Sequence, residues 1–536
     1  MDRRSFLRRA EPTPLGNRDR SGAPAWRKGR GEDLPLPTSG DLTPYTPRPE
    51  KPWDTRRVAH FFRRATFGAT RAEIDAALTS NPTALLDAML AGDAQPSPPG
   101  GWTSQKPFVN PSNADVQTYY GWIRDMQEWW FRLMIDPARS LREKVVLFWH
   151  NHFVSEYPTV VVAQYMFKQN RLFRENGFGS FLELTKKVTV DPAMLVYLDG
   201  ATSRAGNPNE NYARELLELF TLGAGAYSNG TPHYTEADIV DLARALTGWT
   251  LNVQAENEAY AEFKPTRFDA QNKSIFGESR NWGIEGKTPD DVIDHIFAQV
   301  DPDHNRSRAA IYLCSKIYQY FVYNVPDMTI VEGMADTLVQ NNWSVGAVVR
   351  QLLLSEHFFD DNVVGAKIKS PAEFVAHAIR AFALATPMDR TKTSPTYLES
   401  HDPITTCTTL SQTLLAPPGV QGWIGGRSWI SGATMPLRIR YAKMWIEPFG
   451  IPLPYGFDPV AWAKSLPDHT NPGKLVDAMI DLLLAVPLSQ ETRDVVKNEL
   501  TPGGFDYEWD VDAPNAAAKL RAALLRITAL GEYELL

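Results

Sequence analysis

Signals that start α-helices recur along this chain so densely that they leave little room for a large sheet. Asn207-Pro208-Asn209-Glu210 offers an N-cap, a proline at the first helical position and a glutamate at the third. Gly223 then predicts the end of a helix of about 15 residues. Ser370-Pro371-Ala372-Glu373 repeats the device. Thr235-Glu236-Ala237-Asp238 varies it with Asp and predicts a helix that stops near Gly248. Asp191-Pro192 opens AMLVYL, apolar on every side, which predicts a short buried helix. Beyond Pro459, KLVDAMIDLLLAV and AAAKLRAALLRITAL read as amphipathic helices. Alternating strands are scarce, and residues 252–286 have no clear period. The expected class is all-α. A large multi-helix domain spans 53–458, with at most a small β-hairpin or irregular insertion near 252–286. A C-terminal helical subdomain, 459–536, packs on it.

Residues 1–52 differ from this body. They hold 11 Lys and Arg against 7 Asp and Glu, nine prolines and few large apolar side chains. Such a segment buries too little surface to offset its ordering entropy, so a disordered basic tail is expected. It opens with MDRRSFLRRA. Arg3, Arg4, Phe6 and Leu7 stand where a twin-arginine export signal has its paired arginines and following apolar residues. The apolar stretch that such a signal needs is replaced by Glu11, Pro12, Thr13 and Pro14.

Composition excludes several function classes. A net charge of −8 argues against general nucleic-acid affinity. Two cysteines, Cys314 and Cys407, rule out a disulfide framework or a Cys-rich metal cluster and leave one disulfide or two lone thiols. No run of 18 apolar residues predicts a membrane span. Neither a phosphate-binding G-x-x-x-x-G-K-[ST] loop nor a G-x-S-x-G elbow occurs, and no H-E-x-x-H or EF-hand pattern is present.

LREKVVLFWHNHF, DPAMLVYLD, NENYARELLELFTLG, YTEADIVDLARALTGW and PPGVQGW follow one another over about residues 55 to 440. In this order they resemble the bacterial family called domain of unknown function 1800. The resemblance implies a helical unit, an export habit through twin-arginine signals, and a probable protein partner. That partner would come from another family, domain of unknown function 1501, which is similar to sulfatases and alkaline phosphatases. The family pattern also implies a His-Asp pair near Asp269, where this chain reads RFDAQNKSIFG.

The motifs hold the candidate site. His150 and His152 invite a metal or acid–base role, but on one straight helix they point about 200° apart. Leu141, Val145, Phe148 and His152 share a face, whereas His150 lies nearer Glu143 and Val146. Only a break at Trp149 would let both histidines converge. Glu210, Arg214 and Glu218 form an i, i+4, i+8 ladder. Either it is solvated, or it is buried against the His150 helix. Burial would make Arg214 clamp carboxylates and leave Glu210 and Glu215 free to hold a metal or act as bases. His150, His152, Glu210, Arg214 and Glu215 are the catalytic candidates, with His150 and Glu210 as ligands for a divalent metal cofactor. Trp423 and Trp429, in the only strongly glycine- and tryptophan-rich loop, offer faces for stacking a sugar or pins that fix the loop to the core.

Two function classes follow. The first is an enzyme with a polar His/Glu/Arg site between helices, acting in the cell envelope. The second is a non-catalytic partner or scaffold of a sulfatase- or alkaline-phosphatase-like protein. The isolated chain is expected to stay in the cytoplasm and to be exported with a partner that bears a twin-arginine signal.

Overall fold

The computed structural model describes residues 35–91, 95–255, 260–283, 289–384, 402–447 and 457–536. Arg3, Arg4, Phe6 and Leu7 lie outside the described residues. The body is helical, and among the described residues strands occur only as three two-stranded antiparallel ladders. Two of them, Trp249–Leu251 with Ala261–Phe263 and Lys273–Ile275 with Glu278–Arg280, fall inside the aperiodic 252–286 stretch or at its edge. The third, Val300–Asp301 with Arg306–Ser307, lies beyond it.

Local chemistry explains where the helices begin. Ser370 and Glu373 form a reciprocal capping box with Pro371 in the first turn, and Thr235 and Asp238 form another. Asp191 caps Pro192–Tyr197 by accepting from the amides of Ala193 and Met194. One start is displaced. The expected cap at Asn207 is replaced by Asn209, and the helix begins at Glu210. Asn207 is already committed to a turn, exchanging backbone bonds with Arg204, while the hydroxyl of Ser203 holds the amide of Asn209 at 3.1 Å.

The helix Ser140–His152 sits at the centre, with Asn113–Ile135 and Ala163–Asn176 packed against it. Nearly every side chain it carries is buried, so its polar residues need partners. Glu143 meets Arg174 of Ala163–Asn176 in a two-pronged pair, both bonds 2.7 Å, and Lys144 meets Glu373. The C-terminal helices join the same core: Pro472–Leu483 packs on Thr55–Ala65, and Ala516–Thr528 packs on Thr434–Ile446. A buried pair, Arg438 with Glu534 at 2.6 Å, locks the chain's end to Thr434–Ile446. Cys314 and Cys407 are separate buried thiols. Among the described residues no helix is long and apolar enough to cross a membrane.

The expected tail over 1–52 needs correction where it is described. From residue 35 on, the chain is strapped to the body. Tyr45 donates its amide to Leu354, while Glu356 and His357 donate theirs to Thr43 and Asp41, all within 2.9 Å. The buried Tyr45 ring lies 4.4 Å from that of Phe359. One aromatic anchor and a run of backbone bonds order a segment whose composition alone argued for disorder.

Candidate functional site

The two motif histidines do not converge, because the helix runs unbroken through Trp149. Nε2 of His152 lies 3.0 Å from the carbonyl of Phe220. A carbonyl only accepts, so this nitrogen carries the hydrogen. Burial pushes the His152 pKa down to about 3, with Lys316 adding to the effect and the Phe220 bond opposing it. His150 stands edge-on to Trp130 at 5.5 Å, and its Nε2 has no hydrogen-bond partner among the described residues. Burial alone pushes its pKa to about 3. Both imidazoles are therefore neutral near pH 7 and far too weakly basic for proton transfer there.

The chemistry lies one element away. After Glu210–Glu215 the chain passes into a π-helical segment, Leu216–Thr221. Single π-turns are rare and gather at functional sites. The amides of Leu222 and Gly223 both reach back to the carbonyl of Leu217 at 3.0 Å. The last carbonyls of a helix have no partner inside it. Here side chains from three other parts of the fold supply them. The Tyr312 hydroxyl donates to Leu219 at 2.9 Å, His152 to Phe220, Arg308 Nε to Leu222 at 2.6 Å, and His233 Nδ1 to Gly223 at 2.8 Å.

Outward from this turn stand Glu215 and Glu218, both half-buried. Around them are Tyr197 at the end of Pro192–Tyr197, Tyr234 just before the Thr235 cap, and Tyr312 and Lys316 on Arg308–Phe321. Glu156 completes the group, beside Tyr197. Glu218 lies close enough to Tyr234 to help raise the pKa of its hydroxyl, after burial. The Lys316 ammonium lies 5.4 Å over the Tyr312 ring. Burial raises the Glu215 pKa to about 7. The charge of Glu218 adds to the rise and Arg214 opposes it. The Tyr197 hydroxyl is pushed up to about 12, first by burial and then by Glu156 and Glu215. A half-buried carboxyl that titrates near neutrality can give or take a proton near pH 7.

The family model described as "Protein of unknown function (DUF1800)" matches residues 60–524. The chain belongs to this family. The match runs into the last α-helix, Ala516–Thr528. No curated protein and no solved structure matches the chain.

Other candidate residues of this DUF1800 chain fall elsewhere. Arg214 does face carboxylates, Glu210 at 3.3 Å and Glu236 at 2.8 Å, but at the surface. Its side chain is 35% exposed and that of Glu236 is 75% exposed. The ladder is thus the solvated alternative and is not buried against the histidine helix. The ends of the two elements meet instead, through His152 and Phe220. Glu210 is exposed and His150 is buried among rings, so the two proposed metal ligands have different surroundings. Among the described residues no three His, Cys, Asp or Glu side chains are grouped to hold a metal. Trp423 and Trp429 are each 7% exposed and act as pins, leaving no open face for a sugar. Asp269, in the stretch where the family's His-Asp pair was expected, is bound to Arg244 at 2.9 Å.

The sequence reading missed Glu156, Tyr197, Tyr234, Tyr312 and Lys316. Tyr197 and Tyr234 stand inside the quoted DUF1800 motifs, which was the available signal. Tyr312 and Lys316 share a helix face at i, i+4, but nothing local tied that face to Glu215.

Proposed function

We propose that this protein is an enzyme of acid–base type in which Glu215 gives or takes the proton, with Glu218 and the tyrosine hydroxyls orienting a small polar substrate. The single observation that carries this is the convergence on one half-exposed face. Three sequence motifs, DPAMLVYLD, NENYARELLELFTLG and YTEADIVDL, bring Tyr197, the Glu215–Glu218 pair and Tyr234 together on a π-turn. General acid–base catalysis by one such group is worth about 10²–10⁴ in rate. The test is a panel of chromogenic glycosides, carboxylic esters and phosphate esters, assayed with wild type and Glu215→Gln. Turnover that falls at least about 100-fold in Glu215→Gln supports the reading. Turnover untouched by that change overturns it.

The second reading is a non-catalytic partner of a sulfatase-like protein of the domain of unknown function 1501 family. It is supported by the family resemblance and by the twin-arginine-like start at Arg3 and Arg4. On this reading the chain alone stays in the cytoplasm and leaves it bound to a signal-bearing partner. Co-expression with and without that partner, followed by cell fractionation, tests it. Export of the chain alone would count against it.

A further inference from the structure

The motif histidine that looks most like a metal ligand has another task. We infer that His152 and Tyr312 are positioning residues that hold the Leu216–Thr221 segment in its π register and thereby set how Glu218 faces Glu215. The inference rests on the acid–base reading of that face.

A π-turn contains one more residue than an α-turn, so relaxing it to α register would rotate the residues on one side by about 100° relative to the other. Glu215 closes the α-helical part and Glu218 lies inside the π part. The register therefore sets how far apart the two carboxyls stand: at i and i+3 they would lie about 60° apart on an α-helix, and the wider π-turn spreads them further. A π-turn of six residues has poor intrinsic stability and needs outside support. Four side chains provide it at consecutive or nearly consecutive carbonyls, from Leu219 to Gly223. Two of these, from Arg308 and His233, lie past the π segment. The bonds from Tyr312 to Leu219 and from His152 to Phe220 fall within it. The His152 bond is also insulated from pH. The ring is buried, and aromatic rings of Phe148, Phe153 and Phe181 surround it. It donates as a neutral imidazole throughout the working range of Glu215. A metal ligand would need a second donor beside it, whereas Nε2 is already spent on a carbonyl.

The experiment uses the full chain with His152→Leu, Tyr312→Phe and His152→Gln. The first two delete a donor to the π segment. The third keeps an N–H that can reach Phe220. Two readouts are taken. One is amide hydrogen exchange over residues 216–223, resolved by peptide mass spectrometry. The other is the pH midpoint for carbodiimide labelling of Glu215, which reports the protonated carboxyl. The expected result for His152→Leu and Tyr312→Phe is exchange about tenfold or more faster in that peptide with the remainder unchanged. Their labelling midpoint should rise, because relaxation to α register brings the like charge of Glu218 closer to Glu215. His152→Gln should restore both. Should His152→Leu not fold, Tyr312→Phe, which removes one hydroxyl, gives the answer. Wild-type exchange and midpoint in both donor-deleting variants would overturn the inference. A wild-type midpoint already in the ordinary range would fail the acid–base reading alone, and the exchange data would still decide the clamp.

Discussion

Asn151 and Trp423, 272 residues apart, exchange two hydrogen bonds: the Asn151 carbonyl oxygen accepts from the Trp423 amide at 2.6 Å, and its amide donates back to the Trp423 carbonyl at 3.2 Å. The side chain of one motif thus serves as a strand-like partner for the backbone of another. Gly422 makes the approach possible. Its φ is +74°, and a Cβ there would stand 2.3 Å from the Asn151 oxygen. Gly422→Ala should therefore cost roughly 2–4 kcal/mol, from backbone strain and the clash together. Asn151→Leu should cost about 1–3 kcal/mol by leaving the Trp423 groups unpaired. Urea unfolding of each variant checks both, and a loss below about 0.5 kcal/mol for Gly422→Ala would contradict the geometry.

The pair Glu143–Arg174 is fully buried and two-pronged, with Asn170 accepting a further bond from Arg174 at 2.8 Å. Removing one partner strands the other. Arg174→Met should therefore destabilise by about 3–5 kcal/mol. The double variant Glu143→Leu/Arg174→Met should recover most of that loss, since two apolar side chains can replace a desolvated pair. A double variant no better than the single would show that the pair supplies more than mutual neutralisation.

Arg214 calls for the opposite expectation. Its partners Glu210 and Glu236 are exposed, so water screens the attraction. Arg214→Ala should change stability by less than about 1 kcal/mol. It should also raise the Glu215 pKa, because the guanidinium opposes the rise at that carboxyl. Thermal melts and the labelling midpoint of Glu215 measure the two effects separately.

The helical class was legible because it rests on local chemistry. Ser370 and Glu373, or Thr235 and Asp238, form their capping boxes within four residues, and the spacing alone announces them. The cap at Asn209 was misplaced by two residues because the turn at Arg204–Asn207 draws on Ser203, outside the motif window. The π-turn has no residue signature: LLELFT would continue an α-helix equally well, and its register depends on donors at His152, Tyr312, Arg308 and His233. The candidate site was half legible for the same reason. Glu215 sits in a motif, but its raised pKa comes from burial that only tertiary packing creates. His152 drew the eye as a ligand because sequence shows the imidazole and not the carbonyl it meets.

Lys369 is buried near Arg438, and Lys367 is partly buried near Arg64. Burial, chiefly, pushes both pKa values down to about 7. In the unfolded chain both would bind protons up to about pH 10.4. Between about pH 7 and 10 the unfolded state therefore holds more protons, and their contribution to stability rises with pH. Stability of the wild type relative to Lys367→Met/Lys369→Met should increase from pH 7 to pH 9. A constant difference across that range would show that both lysines are charged in the folded core.

Asp191 gives the reverse slope. It is buried, bonded to Gln169 at 3.0 Å, and its Oδ2 has no partner among the described residues. Burial raises its pKa to about 7, against the pull of the Met194 amide, Lys168, Gln169 and the Ala193 amide. Unfolded, it would titrate near 3.9. Between about pH 4 and 7 the folded state holds a proton that the unfolded chain has released. Stability must therefore fall as pH rises through this window, by roughly 4 kcal/mol at most. Asp191→Asn removes the titration while keeping the shape. Asparagine caps a helix as well as aspartate does, and its side-chain oxygen can still accept from Ala193, Met194 and Gln169. The variant should match the wild type near pH 4 to 5, exceed it near pH 8, and show a flatter profile between. Denaturation at several pH values decides the matter. A variant less stable than the wild type at pH 8 would mean that the charged carboxylate is itself the favoured form, held by its three donors and the charge of Lys168 more strongly than burial opposes it.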